Sequence, residues 1–557
     1  MNKSYIFLFL VILLSLFLRI YKIDTVPPSA SLDEVSIGWN AYSLLQTGRD
    51  EYGYQFPILL RAYDDWRPAL YVYAVAPFVK FFGLSVVSVR LPSVIFSLGA
   101  ILIAYFLAKK IFQKHKFGEQ IALLSALFLA ISPWHIYISR LGHEVNLSLF
   151  LVTFGILFFL ISVKNLEKKW FLVLSVLSFT LSFYTYQSVK IFVPLILIPL
   201  FIIRKKELMK IKKVVLLSLF LGFIVVLPIA FESFSPQALI RFRGASAFDA
   251  TQQIYYDNFV KFQKEKKQGN IIGQIIYHKR TLDLKIFTAQ YLSHFNPVWI
   301  FTGSENESFK APNVGLFYAW EFPFLLIGLY YIFRIKGLNE KIKYLFLIWV
   351  IISFIPPAIS RGVPHAMRSY NLLPVPQMIT VFGLIGVHEL IKKNLLKKIF
   401  LISVSVIIFA SGAYFFKQYF WLFPETQSDS FQYALKETIS YVDQNRHQYN
   451  KIIISNEENL YQSYMFYLFY TKYDPGFYHK QGGTNSGGFS AEHKIENLEF
   501  KRISPKETKF EKDILYVGNF RDIPDILPGK KKIKKMKTLA IFKNLNGQNR
   551  TKVAMLE

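Results

Sequence analysis

Runs of about 20 apolar residues, repeated through the first three quarters of the chain, constrain this sequence most. A helix of that length crosses the hydrocarbon core of a bilayer, where only helices and closed barrels satisfy their own backbone polar groups. The runs fall at roughly 5–21, 86–108, 120–132, 144–162, 170–184, 188–203, 213–231, 314–333, 344–360, 371–391 and 398–418. They predict an α-helical polytopic membrane protein with about 11 transmembrane helices. Tyr21-Lys22-Ile23-Asp24, and not a small-residue cleavage site, follows the first run, which therefore reads as a retained span.

Where the charge lies decides what the formal net charge of +28 means. Lys and Arg crowd into alternate short loops, at 109–116, 164–169, 204–213, 334–343 and 392–398. The opposite short loops hold only Arg140, Lys190, Arg361 and Arg368. That asymmetry is the positive-inside signal. It predicts a multi-pass plasma-membrane protein with a cytoplasmic N-terminus, and an odd number of spans puts the C-terminal tail outside. Much of the basic excess is then topological, and a nucleic-acid partner is excluded. The chain has no cysteine, which excludes disulfides and thiolate metal sites.

Residues 1–424 read as the transmembrane module, with external loops at 22–85 and 232–313. Residues 425–557 read as a small extracytoplasmic α/β domain: a helix over 429–445, the strand KIIIS, the helix YQSYMFYLFY, then the strands DILYVG and TLAIF. Within it QGGTNSGGFS reads as a flexible loop.

Ser31–Arg67, between the first two long runs, gathers the acidic groups. Val35, Trp39, Tyr42 and Leu45 share one helix face, and Gly48 can end the helix. Glu34 has two readings. Its spacing from Ser31 fits a capping box, with the glutamate reaching back to the serine N–H. It can equally share a catalytic role with Asp33. Asp33 stays free in the first turn, where the positive helix end favours its ionised form, and a carboxylate there suits proton abstraction from a hydroxyl. Asp64-Asp65-Trp66-Arg67 precedes a Pro-started, aromatic-rich helix over 69–82; Arg67 suits bidentate contact with a phosphate. Other external segments add His135, Arg140, His143, Glu144, Tyr186, Gln187, Lys190, Arg361, His365 and Arg368. Singly these suit helix ends and snorkelling. Together they are cations on the face that should be poor in them, with an anionic lipid head group as the simplest common partner.

In LDEVSIGWNAYSLLQTGRDEYG, DWRPALYVYAVAPFVKFFGLSVVSVRLPS, SPWHIYISRLGHEVNLSLF, YTYQSVKIFVPLILI, YLSHFNPVWIF, YAWEFPFLLIGLYYI and PHAMRSYNLLP, in that order, the chain resembles the GT-C superfamily of membrane glycosyltransferases. The likeness is to the bacterial family 39 type, akin to protein O-mannosyltransferases and aminoarabinose transferases. The resemblance implies inverting transfer of a sugar from a polyprenyl phosphate, such as undecaprenyl phosphate, to an acceptor protein, lipid or glycan on the outer face. It makes Asp33 the base. It also sets Arg67 on the lipid phosphate, for which Arg140, Lys190, Arg241, Arg243, His294, His365 and Arg368 in the external segments are further candidates. Asp64, Asp65, His143, Glu144, Tyr186 and Glu321 are the candidates for the acceptor and sugar pocket. Trp66 stands where some relatives carry a metal-binding glutamate, and Arg-Pro-Ala where they carry a Lys-Pro-Pro-like segment. The implied chemistry requires no metal or other cofactor.

Three other classes remain open. A lipid-glycan flippase or transporter favours charges within spans and inverted repeats with broken helices, and the sequence displays neither. A receptor acting through its tail would not need Asp33. An oligosaccharide ligase would use a pyrophosphate-linked donor, against which the motif series argues.

Overall fold

A computed structural model describes residues 3–63, 65–164, 166–236, 244–249, 251–303, 307–334, 340–485, 492–527 and 534–557. Every apolar run forms helix. In chain order the helices begin α1 (Lys3–Ile20), α2 (Leu32–Thr47), α3 (Leu70–Phe82), α4 (Val86–Ile111), α5 (Gly118–Ile131), α6 (Pro133–Ser139) and α7 (Val145–Ser162). They continue α8 (Phe171–Ser182), α9 (Val189–Lys210) and α10 (Lys212–Ser233). Among the described residues 6 helices are long and apolar enough to cross a membrane, or 7 if the bent pair α5–α6 is one span. Leu70–Phe82, Phe171–Ser182 and Val375–Leu390 are shorter apolar helices. By length and composition the protein is multi-pass, and the expected count of about 11 is not recovered on that measure.

Local chemistry sets the breaks. α5 and α6 meet at 55° because Pro133 has no N–H to continue the ladder and starts the second helix instead. That turns 133–139, expected as loop, into a fully buried helix. α2 opens on the capping box, with the Ser31 N–H donating to Glu34 Oε2 at 2.8 Å and the Glu34 N–H to Ser31 Oγ at 3.3 Å. It closes on Gly48 at φ 70°, where a side chain would be strained. A hairpin of β1 (Leu59–Ala62) and β2 (Asp65–Pro68) follows and pairs Leu60 with Arg67.

The tail is built on a seven-stranded mixed sheet in the order β4-β5-β3-β6-β9-β8-β7. The strands are β3 (Lys451–Ile454), β4 (His493–Ile495), β5 (Leu498–Phe500), β6 (Ile514–Gly518), β7 (Ile526–Leu527), β8 (Lys534–Lys543) and β9 (Asn549–Leu556). β3 runs parallel to both β5 and β6. The expected helices appear as Tyr433–Asn445 and Ser463–Tyr470. Strands β4, β5, β7 and β9 and the helix Pro475–Lys480 were not legible in the sequence.

One apolar core joins the tail to the segment between α1 and α4: Val35, Ile37, Trp39, Leu60 and Tyr71 pack with Tyr464, Met465, Phe466, Leu515 and Val517. A Cβ at Gly38 would stand 2.5 Å from the Phe469 ring, so α2 needs glycine there to approach the helix Ser463–Tyr470. Trp39 Nε1 donates to the Tyr473 carbonyl at 3.2 Å. Glu51, fully buried, accepts from Asn40 Nδ2 at 3.2 Å, Tyr464 OH at 2.9 Å and Thr484 Oγ1 at 3.1 Å.

Candidate active site

Two adjacent carboxylates on the first turn of α2 have opposite surroundings. Glu34 is 1% exposed. Its Oε1 accepts from Arg90 Nε at 2.7 Å and the Gly142 N–H at 2.8 Å. Its Oε2 accepts from Arg90 Nη2 at 3.0 Å and the Ser31 N–H at 2.8 Å. Burial alone would raise its pKa, but the Arg90 charge and hydrogen bonds and the two backbone donors outweigh burial and hold it below the ordinary carboxylate range. With four donors on two oxygens, Glu34 is an anchor. This corrects the expectation of a catalytic role. The remaining donors of Arg90 reach the carbonyls of Ile23 at 2.7 Å, Pro27 at 3.1 Å and Ser29 at 2.7 Å, fixing the approach to α2.

The Asp33 side chain is 51% exposed, and its Oδ1 accepts from Arg67 Nη2 at 2.9 Å. Arg67 is buried at the end of the β1–β2 hairpin, where the charges of Asp33, Glu144 and Asp65 act on it. One guanidinium nitrogen, Nη2, thus holds Asp33, and Trp66, the neighbour of Arg67, lines the adjoining cavity. Arg67, expected on the lipid phosphate, does not itself line that cavity.

That cavity measures ≈ 410 Å³. Its wall is mainly apolar (Leu59, Trp66, Ile191, Phe234, Pro356, Ile359) and carries Tyr186, Lys190, Ser233, Ser360 and Arg368 as polar groups. Lys190 Nζ donates to Ser233 Oγ at 2.9 Å, and Arg368 Nη1 to Ser360 Oγ at 2.7 Å. Two cations in an apolar pocket suit a phosphate bearing a hydrocarbon tail. His143 bridges the two regions: its Nδ1 is 3.4 Å from Glu144 Oε2, and its ring meets Tyr186 edge-on at 5.6 Å.

The other candidates sort by surroundings. His294 is buried; its Nδ1 faces the Gln290 carbonyl at 2.9 Å, and its Nε2 accepts the His365 N–H at 3.3 Å. Burial pushes it down to about 4. Both nitrogens are used and the ring is neutral, so it is not a phosphate ligand. Burial, then the charge of Arg368, pushes His365 down to about 3, leaving it an uncharged prop for the Arg368 turn.

Arg140 is fully buried and donates to the carbonyls of Leu18, Arg19, Tyr21, Lys22 and Val26 at 2.6–3.0 Å. It closes the C-terminal end of α1 through both terminal nitrogens and does not line the cavity, where a phosphate contact was expected of it. Glu321 is buried at the start of the helix Glu321–Arg334, accepts the Tyr318 N–H at 3.0 Å, and does not line the cavity. Asp65 accepts the Trp66 N–H at 2.9 Å in the hairpin. Asp64, Arg241 and Arg243 lie outside the described residues. Among the described residues no three His, Asp or Glu side chains gather as a metal site, and a half-exposed Asp33 tied to an arginine is a poor start for one.

Arg90 was missed by sequence reasoning, although a signal existed. An arginine inside an apolar run needs a buried partner, and the external carboxylates, Glu34 among them, were the groups to pair with it.

A family model described as dolichyl-phosphate-mannose-protein mannosyltransferase matches residues 66–231. No curated protein matches the sequence. Over residues 66–231 the chain is similar to that family, and solved membrane proteins share its fold. ArnT from Cupriavidus metallidurans, solved bound to undecaprenyl phosphate, is similar over 100% of this chain and 98% of its own, at 12% identity and a TM-score of 0.56. The Archaeoglobus fulgidus oligosaccharyltransferase, solved with a tethered acceptor peptide, is similar over 84% of this chain at 14% identity and a TM-score of 0.51. The chain spans 63% of that protein's length.

Proposed function

We propose that the protein is an inverting membrane glycosyltransferase. It moves a sugar from a polyprenyl phosphate to an acceptor hydroxyl at the outer face of the plasma membrane. The observation that carries this reading is Asp33: a half-exposed carboxylate held at 2.9 Å by a buried arginine whose neighbour, Trp66, lines an apolar cavity with two cations. The undecaprenyl phosphate in the ArnT structure supports a lipid-phosphate donor.

In this reading Lys190 and Arg368 take the donor phosphate and the apolar wall takes the first part of the lipid tail. Arg67 fixes the direction of Asp33. The acceptor oxygen attacks the anomeric carbon from the side opposite the phosphate as Asp33 removes its proton. The bond from that carbon to the phosphate oxygen breaks, its electron pair stays on the phosphate, and the two cations stabilise the growing charge. The tail domain shares a core with α2, the helix that carries Asp33.

The test is mass spectrometry of lipid-linked sugars and surface glycans in cells carrying the protein, lacking it, or carrying Asp33→Asn. The expected result is one glycan lost and one polyprenyl-phosphate sugar accumulated in both deficient strains. Identical profiles in all three would overturn the assignment.

A further inference from the structure

A second cavity lies at the other end of the membrane module. Lys110 stands 20 residues along α4 from Arg90, or about 30 Å, which is the thickness of the hydrocarbon core. There the ends of α4, α7 and α9 and the start of the helix Glu340–Ser353 enclose ≈ 360 Å³. The lining includes Lys110, Lys114, His115, Lys164 and Arg204 and no carboxylate.

Each basic residue alone has an ordinary explanation, as a cation at a helix C-terminus on the positive face of the membrane. Their convergence on one concavity does not. Lys110, Lys114 and Lys164 form no ion pair among the described residues. Burial, then the charges of Lys114 and Arg204, hold Lys164 below the ordinary lysine range. α9 breaks at Arg204, where the backbone leaves the helical region (φ −117°, ψ 17°). Its guanidinium pairs through Nη1 with Glu207 at 3.0 Å, while its Nε is buried without a hydrogen-bond partner among the described residues. Like charges gathered in a pocket repel one another, and an anion with several acceptor oxygens relieves this.

We propose that this cavity is a binding site for a phosphate-bearing anion, held by Lys110, Lys114, Lys164 and Arg204, separate from the Asp33 site and independent of its chemistry. The same oxygens are offered by the head group of an anionic lipid in the adjacent leaflet and by a soluble phosphate.

Thermal unfolding of the full chain distinguishes them. It is followed in phosphatidylcholine nanodiscs, in nanodiscs with added phosphatidylglycerol, and in phosphatidylcholine nanodiscs with inorganic pyrophosphate. The Tm should rise by several degrees with at least one anion. A rise with phosphatidylglycerol alone identifies the lipid head group; a rise with pyrophosphate identifies a soluble phosphate ligand. Lys110→Gln/Lys164→Gln, with less internal repulsion, should unfold no lower than the parent in phosphatidylcholine and should lose the anion-dependent rise. Lys392→Gln/Lys393→Gln, with cations removed from a loop that does not line the cavity, should keep it. The proposal is overturned if neither anion raises the Tm, if the first pair keeps the rise, or if both pairs lose it equally.

Discussion

Asp33 and Glu34 are chain neighbours with the same functional group, and only surroundings separate them. Asp33 accepts from Arg67 and is half-exposed; Glu34 has four donors and is buried. Removing Arg90 would strand a buried carboxylate, so Arg90→Ala should lower stability by about 3–5 kcal/mol, read as a fall in Tm. Arg90→Lys should recover little of it, because one ammonium cannot replace a two-pronged contact together with three carbonyl contacts. Glu34 also sets an acid limit. Its pKa is depressed in the fold, so its contribution is complete above the ordinary value of 4.5 and disappears as pH falls through the lower folded value. At this scale the sequence was informative about residue types and poor about partners. The capping box was legible because it depends on residues within three positions. Arg140 was not, because the carbonyls it caps come from α1, more than a hundred residues earlier.

The joint between α2 and the tail is the least expected contact between elements. Burial pushes Glu51 up to about 7, against hydrogen bonds from Asn40, Tyr464 and Thr484 that pull the other way. Burial pushes Asp50 up as well, to about 6. For an acid with a raised folded pKa, stability is full below the ordinary value and is lost as pH rises through the folded one. The joint should therefore be firmest near pH 5 and weaken toward pH 8, with Glu51 responsible for on the order of 3 kcal/mol. Melting the parent and Glu51→Gln at both pH values checks this: the parent Tm should fall on the alkaline side and the variant Tm should fall much less, Asp50 accounting for the remainder. An equal fall in both would remove Glu51 from the joint. The helices were legible because each is a local pattern imposed by lipid. The tail sheet was only partly so: β4 and β5 are three residues each and carry no period to read, and the charged β9 becomes a strand through its pairing with β6 and β8.

Across the whole molecule, two sites at opposite ends of α4 and a tail fused to the first loop require one orientation in the membrane. The chain has no cysteine, so single reporters can be introduced without background. On the proposed topology Phe56→Cys and Lys509→Cys should react with an impermeant maleimide in intact cells, and Lys168→Cys only after permeabilisation; the reverse pattern would contradict it. The expected GT-C architecture came from an ordered series of motifs, and the fold bears it out; what the series did not carry was which cations face the cavity. The central claim is that Asp33 acts in the chemical step while the cavity cations hold the lipid phosphate. One paired measurement tests it most directly: sugar transfer from a membrane extract of polyprenyl-phosphate sugars, and binding of undecaprenyl phosphate, on the same purified parent and Asp33→Asn. The account predicts transfer reduced by about 10²–10⁴-fold with binding within about twofold. Transfer retained at the parental rate, or transfer and binding lost together in a folded protein, would contradict it.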